Sequence, residues 1–304
     1  MAAETETRSR LVLDQYQRER LARLARSIRH NTKAAVGLTI IVGLVGLAIF
    51  SPMLISEQAA NQMDMANRFA APSLEHPFGT DNFGRDVLSR TLLGVRISLY
   101  VGLSSVAISS AVGVPLGGLA GYAGGAVDDL VMRTMDILMS FPPILVAMTI
   151  TAVIGPTLNN AILALGIVYI PYFARVTRSE AISVSQEEFV EAAHALGERD
   201  SYILFREVLP NAAAPIIVQA SISISFAILA AAGLSFLGLG AQPPTPSWGL
   251  MLQQAKQYLT QAPWMAVFPG LGIAVTVLGF NLFGDGIRDV LDPDTSTELG
   301  VTDE

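Results

Sequence analysis

The sequence contains no cysteine, which excludes disulfide bonds, thiolate nucleophiles, cysteine-ligated zinc and iron–sulfur clusters. Histidine is scarce. His30, His76 and His194 stand far apart, and no two have the spacing of a helical metal site. Lys33 and Lys256 are the only lysines. Neither follows the glycine spacing that a phosphate-cradling loop needs, so ATP hydrolysis by that route is excluded. Charge of either sign is thin: charged residues make up 15% of the 304, against about 25% in an ordinary soluble domain. No catalytic group, metal site or cofactor is expected, and the chain is not read as an enzyme. The net charge of −7 with almost no lysine suits a salt-rich cytoplasm, and drift in a few acidic loops would explain it equally.

What is present is apolar. Hydrophobic residues make up 51% and the mean hydropathy is +0.48. Six stretches poor in charge predict six transmembrane helices, at 34–55 and at roughly 97–122, 131–154, 158–174, 211–236 and 265–284. The first, at about 1.5 Å per residue, reaches about 33 Å, which crosses a hydrocarbon core of about 30 Å. It is too long for the apolar region of a signal peptide and is read as a retained anchor. In the second, Gly113, Gly117, Gly121 and Gly125 recur every four residues. That spacing makes one bare helix face for close packing, with Gly125 just past the end. At the start of the third, Asp129 with Arg133 and Arg133 with Asp136 have the spacing of helical ion pairs, and these charges, with Asp128, belong at the membrane surface.

Six spans put both ends on one side. If that side is the cytoplasm, 14 of the 19 basic residues lie inside, eight of them in the N-terminal tail. The positive-inside rule therefore favours cytoplasmic termini in a multi-pass protein of the cell membrane. The division that follows is a basic tail (1–33), the anchor (34–55), an outer loop (56–96), a five-helix core (97–288) with an inner loop at 175–210, and an acidic tail (289–304).

The inner loop is the informative segment. Ser185 and Glu188 have capping-box spacing, and Phe189, Ala192, Ala193 and Leu196 follow at helical intervals on one side. Gly197 ends this helix, Asp200 caps a second one containing Tyr202, Ile203, Phe205 and Val208, and Pro210 breaks into the fifth span. The result is a helix–glycine–helix hairpin with an apolar face and an acidic rim. That face either packs on its own protein or docks on another.

Elsewhere, Asp81 is read as capping an outer helix on which Asp86 and Arg90 pair; 81–96 is equally read as structural or as contacting substrate, with a His76–Asp81 metal site as a minor alternative. Trp248 and Trp264 flank a stretch read as an interfacial helix, 248–260. Ser221 and Ser225 share a helix face without any acid or histidine to activate them, so helix packing is preferred to an intramembrane enzyme. The span cores hold no paired ionisable residues, which counts against an ion-coupled secondary transporter.

Glu191-Ala192-Ala193, then Gly197, then Leu209-Pro210 resembles the EAA loop of permease subunits of ABC importers. The resemblance extends to His76-Pro77-Phe78-Gly79-Thr80-Asp81 with Gly84-Arg85-Asp86, Ser89-Arg90 and Arg96. It extends also to Leu234-Ser235-Phe236-Leu237-Gly238-Leu239-Gly240 with Gln242 to Gly249, and to Gly284-Asp285-Gly286 with Arg288-Asp289 and Leu291-Asp292-Pro293. These look like the dipeptide, oligopeptide and nickel permeases, second-permease type. The resemblance implies an all-α, type I permease core forming half of a translocation pathway for peptides, or for nickel or another small solute. It implies a second permease, two ATPase subunits and an extracytoplasmic solute-binding protein as partners. It assigns ATPase coupling to Phe189, Glu191, Ala192, Ala193, Leu196, Gly197, Leu209 and Pro210. Two departures stand out. Glu207 occupies a position where the motif often has Ile, and Ala230-Ala231-Ala232-Gly233 stands where the family often has a glutamate.

Overall fold

A computed structural model describes residues 30–291. The basic tail before His30 and the acidic segment after Leu291 lie outside the described residues, and with them seven of the 14 basic residues counted on the inner side. The described residues are all-α, with no strand beyond one isolated antiparallel bridge between Thr80 and Asp86.

Five helices are long and apolar enough to cross a membrane. They are α1 (Thr32–Leu54), α3 (Val87–Ala123), α6 (Leu158–Val184), α9 (Ala213–Phe236) and α11 (Trp264–Leu291). The remaining expected span is broken. It consists of α4 (Gly125–Met139) and α5 (Pro143–Ile154), bent at 84°. Pro142 and Pro143 explain the break, because neither can donate the amide hydrogen that would continue the ladder. The expected straight helix over 131–154 is therefore corrected to two segments. Two boundaries also move: α3 begins ten residues inside the expected outer loop, and α6 runs ten residues into the expected inner loop.

The centre of the fold is the seam between α3 and α6. Along α3, Ser105, Ser109, Gly113, Gly117 and Gly121 fall every four residues and share one face. The two serines donate across the seam to the carbonyls of Ile162 (3.2 Å) and Gly166 (2.8 Å). Below them, a β-carbon on Gly113 or Gly121 would lie 2.6 Å from the Ile170 carbonyl or 2.5 Å from that of Arg178, and one on Gly117 would press still closer on Ala174. In lipid, where apolar side chains gain little from leaving the solvent, such close backbone approach and interhelical hydrogen bonds of about 0.6 kcal/mol each hold helices together. Ser225 on α9 similarly reaches the Val277 carbonyl of α11 at 3.3 Å, in keeping with serines that pack helices. Helix α1 is peripheral. It rests on α11 where Gly37 meets the backbone at Phe283, Lys33 pairs with Asp289 at 3.0 Å, and Val42, Ile49 and Phe50 face outward.

At the other end of the bundle, the segments 56–86 and 237–263 fold together into a cap. Here the structure differs from the expectation in three places. Asp86, not Asp81, caps α3, accepting from the Ser89 amide at 2.7 Å and meeting His76 Nδ1 at 3.1 Å. Asp81 is instead buried in an ion pair with Arg85 at 2.6 Å, and Arg85 also donates to Gln254 at 3.0 Å. Asp86 and Arg90 form no pair; buried Arg90 donates to Asn61, on the short helix α2 (Glu57–Asn61). Third, Trp248 is not interfacial. It is 1% exposed, opens the short helix α10 (Trp248–Ala255), and donates its indole N–H to the Thr91 carbonyl at 2.9 Å. Trp264 does the same to the Thr80 carbonyl at 3.0 Å. Among the described residues no group of histidine and acidic side chains is arranged to hold a metal.

Candidate coupling hairpin

The hairpin sits at the end of the bundle where α3 finishes. Its first element is the overrun of α6. That helix continues to Val184, and the Ser185 hydroxyl bonds back to the carbonyls of Ala181 (2.6 Å) and Ile182 (3.0 Å). Ser185 therefore closes α6 and does not cap the next helix, contrary to the capping-box reading. Helix α7 (Glu188–Ala195) starts without a side-chain cap. Glu188 and Glu191 in its first turn and His194 in its last suit the helix dipole.

Gly197 ends α7 at φ +81°, the left-handed conformation that glycine adopts at no steric cost. The Gly197 amide donates to the His194 carbonyl at 2.9 Å and the Glu198 amide to that of Ala193 at 3.2 Å. This paired closure satisfies carbonyls that the helix end would leave open. The chain then turns into α8 (Asp200–Ile203), a wide-pitched π turn at Leu204–Val208, and a last short turn at Leu209–Asn211. Asp200 is the first helical residue of α8 and not its cap.

Both faces of the hairpin are apolar, and the face expected from the periodicity is split between them. Val190, Ala193, Ile203, Leu204 and Val208 turn inward with Ala181 into a small core of their own. Phe189, Leu196, Tyr202 and Phe205 turn outward and are 41%, 82%, 48% and 50% exposed. Ala192 and Glu191 are also exposed. Of the residues assigned to coupling, then, Phe189, Glu191, Ala192, Leu196 and Gly197 share the open surface. Ala193 does not: it is 8% exposed and belongs to the inner core. Leu209 is half-buried against α3, where a β-carbon on Gly118 would come 2.8 Å from its Cδ2, and Pro210 is exposed.

One side chain absent from the expected set fixes the hairpin to the bundle. Tyr122, in the last turn of α3, has its hydroxyl 3.1 Å from His194 Nε2 and donates to Asp200 Oδ1 at 3.4 Å. Its ring lies stacked over His194 with centroids 6.1 Å apart. One tyrosine thus touches both arms of the hairpin and the glycine-faced helix. Nearby, Arg178 forms a two-pronged pair with Asp128 at 2.5 Å, and Arg175 reaches Asp136 at 2.6 Å. These clamp α4 to α6. Of the two pairs read from spacing, only Asp129–Arg133 forms, exposed and at 3.6 Å.

Residues 113–297 match the family described as "Binding-protein-dependent transport system inner membrane component". The chain is 48% identical over 268 residues to the dipeptide transport system permease protein DppC of Alkalihalophilus pseudofirmus, covering 88% of each. It is 45% identical over 268 residues to the glutathione transport system permease protein GsiD of Escherichia coli O157:H7, again covering 88% of each. It is 43% identical over 272 residues to the probable D,D-dipeptide transport system permease protein DdpC of Escherichia coli K12, covering 90% of this chain and 91% of that one. A chain of the methionine ABC transporter MetNI, in an inward-facing conformation, shares the fold with a TM-score of 0.56 at 22% identity. That match covers 68% of this chain and 97% of the other.

Proposed function

Since the chain belongs to the family of binding-protein-dependent transport system inner membrane components, and is a multi-pass permease subunit of an ABC importer, we propose that its cargo is peptide. The similar permeases of dipeptides, glutathione and D,D-dipeptides support peptide over nickel or another small solute. In this reading the chain pairs with a second, similar permease, two ATPase subunits and a solute-binding protein outside the membrane. It hydrolyses no ATP itself. Both termini and the hairpin face the cytoplasm; the tail 1–33 and the segment 289–304 lie there too, with 56–96 outside.

The observation that carries the coupling assignment is the outward row of Phe189, Leu196, Tyr202 and Phe205 on a hairpin whose inner face is already filled. A row of large apolar side chains in water marks a surface that something else covers. An ATPase groove meets that requirement, with Glu191 and Gly197 shaping the approach and Leu209-Pro210 returning the chain to the membrane. Tyr122 would relay a push on the hairpin to α3.

The test is co-expression of the importer, solubilisation in mild detergent and capture on this chain, followed by uptake measured in reconstituted vesicles. Recovery of the ATPase, ATP-dependent dipeptide uptake and indifference to excess nickel are expected. Steady ATP hydrolysis by this chain purified alone, or nickel uptake without peptide uptake, would sink the proposal.

A further inference from the structure

Above the core, α2, the outer part of α3 and the loop Pro244–Pro246 enclose an open cavity of about 450 Å³. That is within the range of about 300–1,000 Å³ typical of small-molecule sites. Its walls carry opposite charges that do not neutralise each other. Glu57 stands on α2; Arg96 stands on α3, with Tyr100 one turn beyond it. Arg96 and Tyr100 are exposed, and neither Glu57 nor Arg96 has an ion-pair partner among the described residues.

Arg96 lies nine residues into α3, about 14 Å along its axis. It stands at the outer end of that helix, ahead of the uncharged run that begins at Ile97, and its guanidinium lines the cavity with no carboxylate of its own. A second arginine points to the same requirement. Arg90 is 1% exposed, and only its Nη1 has a partner, the Asn61 side-chain oxygen; Nε and Nη2 are buried with none. Asn61 itself lines the cavity. Asp81, the carboxylate whose charge acts on Arg90 through space, is occupied by Arg85. The α3 side of the cavity therefore presents the unpaired guanidinium of Arg96, with buried Arg90 behind the lining residue Asn61, and the α2 side presents a carboxylate.

We propose that this cavity is a subsite for the two ends of a short zwitterionic peptide, deepening the peptide reading on which it rests. The peptide carboxylate lies against the Arg96 guanidinium, which presents a flat two-pronged donor suited to carboxylates. The peptide ammonium lies toward Glu57. Leu93, Ile97 and Pro246 supply apolar contact without side-chain preference. A peptide so held is recognised by its ends, so its sequence matters little and its length matters much.

The absence of native cysteine gives a direct test. A single Thr245→Cys on the cavity wall, with Ile97→Cys in parallel, reports access through its rate of labelling by an impermeant maleimide. The label is read on this chain in the full permease–ATPase complex in nanodiscs, without the binding protein. Millimolar dialanine is expected to slow labelling at least threefold, and dialanine amide, which lacks the carboxylate, to slow it much less. In Arg96→Gln the two compounds should become indistinguishable, and Arg96→Lys should restore part of the difference. Equal protection by dialanine and its amide in the unsubstituted background, or unchanged protection in an intact Arg96→Gln complex, would overturn the subsite. So would loss of the partner permease from the Arg96→Gln complex, because Arg96 would then be serving an acid on that partner. Dialanine uptake by the complete importer, measured alongside, keeps the two ideas apart. Absent uptake refutes the peptide cargo, whereas uptake without protection refutes only the subsite.

Discussion

Replacing Asp81 with asparagine isolates one charge. The side-chain oxygen that accepts from the Phe83 amide (2.8 Å) and the Arg85 amide (3.0 Å) survives in asparagine, so the local turn keeps its geometry. What disappears is the carboxylate that meets Arg85 Nε at 2.6 Å. Asp81 and Arg85 are 4% and 3% exposed, so the guanidinium left behind is shut off from solvent and keeps only Gln254 and the face of the Phe83 ring. Removing one partner of a buried pair costs about 3–5 kcal/mol. At about 2–4 °C per kcal/mol for a domain of this size, the melting midpoint should fall by roughly 6–20 °C. Intrinsic fluorescence in detergent reads this directly, since Trp264 donates to the carbonyl of the neighbouring Thr80. The double replacement Asp81→Asn with Arg85→Met removes the stranded charge and should recover most of the loss, because an apolar stand-in for a buried pair is often neutral. A single-mutant shift under 2 °C, or a double mutant worse than the single, would refute the account of the cap as a structure built around this pair.

Three further outcomes are expected. Gly117→Val should prevent α3 and α6 from closing, because even a β-carbon would press on the Ala174 carbonyl; the overpacking cost of about 1–3 kcal/mol would appear as reduced yield and a lower melting midpoint of the purified chain. On the hairpin, Leu196→Glu should abolish ATPase capture while leaving the melting midpoint within 2 °C, whereas Ala193→Glu should lower both by burying a charge beside Val190 and Ile203. Gly197→Val meets nothing within 4 Å, so any fall in uptake would come from backbone strain of about 1–2 kcal/mol and should leave some docking. Single cysteines at Glu75 and Lys256 should label from outside in intact cells and one at Glu191 should not; outside labelling at Glu191 would overturn the topology.

Much of this was legible in the residues. The four-residue glycine spacing at 113, 117 and 121 named the packed face of α3 because only backbone approach requires a bare stripe over three turns. The hairpin was legible because Gly197 stood where a helix end needs a left-handed residue. Its orientation was not. On eight residues, Val190 with Ala193 and Phe189 with Leu196 are equally good faces, and only the neighbours Ala181, Ile203 and Leu204 decide which turns inward. Ser185 misled because a capping box and a serine closing the previous helix look alike until the length of α6 is known. Asp81 and Asp86 exchanged roles for a similar reason: either can cap, and the choice was made by Arg85 and distant Gln254. Residue type alone points Trp248 to an interface, whereas Gly94 and Gly272, far apart in sequence, leave the slot that buries it.

The break between α4 and α5 bears on the chain's life before assembly. Helix α5 has 12 residues and so measures about 18 Å, short of a hydrocarbon core of about 30 Å. The chain therefore turns within the stretch expected as its third span. The two prolines there leave the carbonyls of Leu138 and Met139 without the amide donors a continuous helix would supply, and Ser140, Phe141 and Pro142 are exposed on this chain. Lipid tolerates irregular backbone only where protein or a water-filled cavity covers it. The break between α4 and α5 is thus a place where the backbone of this chain calls for cover from another protein surface. Under the proposed pairing with a second permease, a copy of this chain synthesised in surplus should be short-lived, which a pulse-chase with and without that permease would measure.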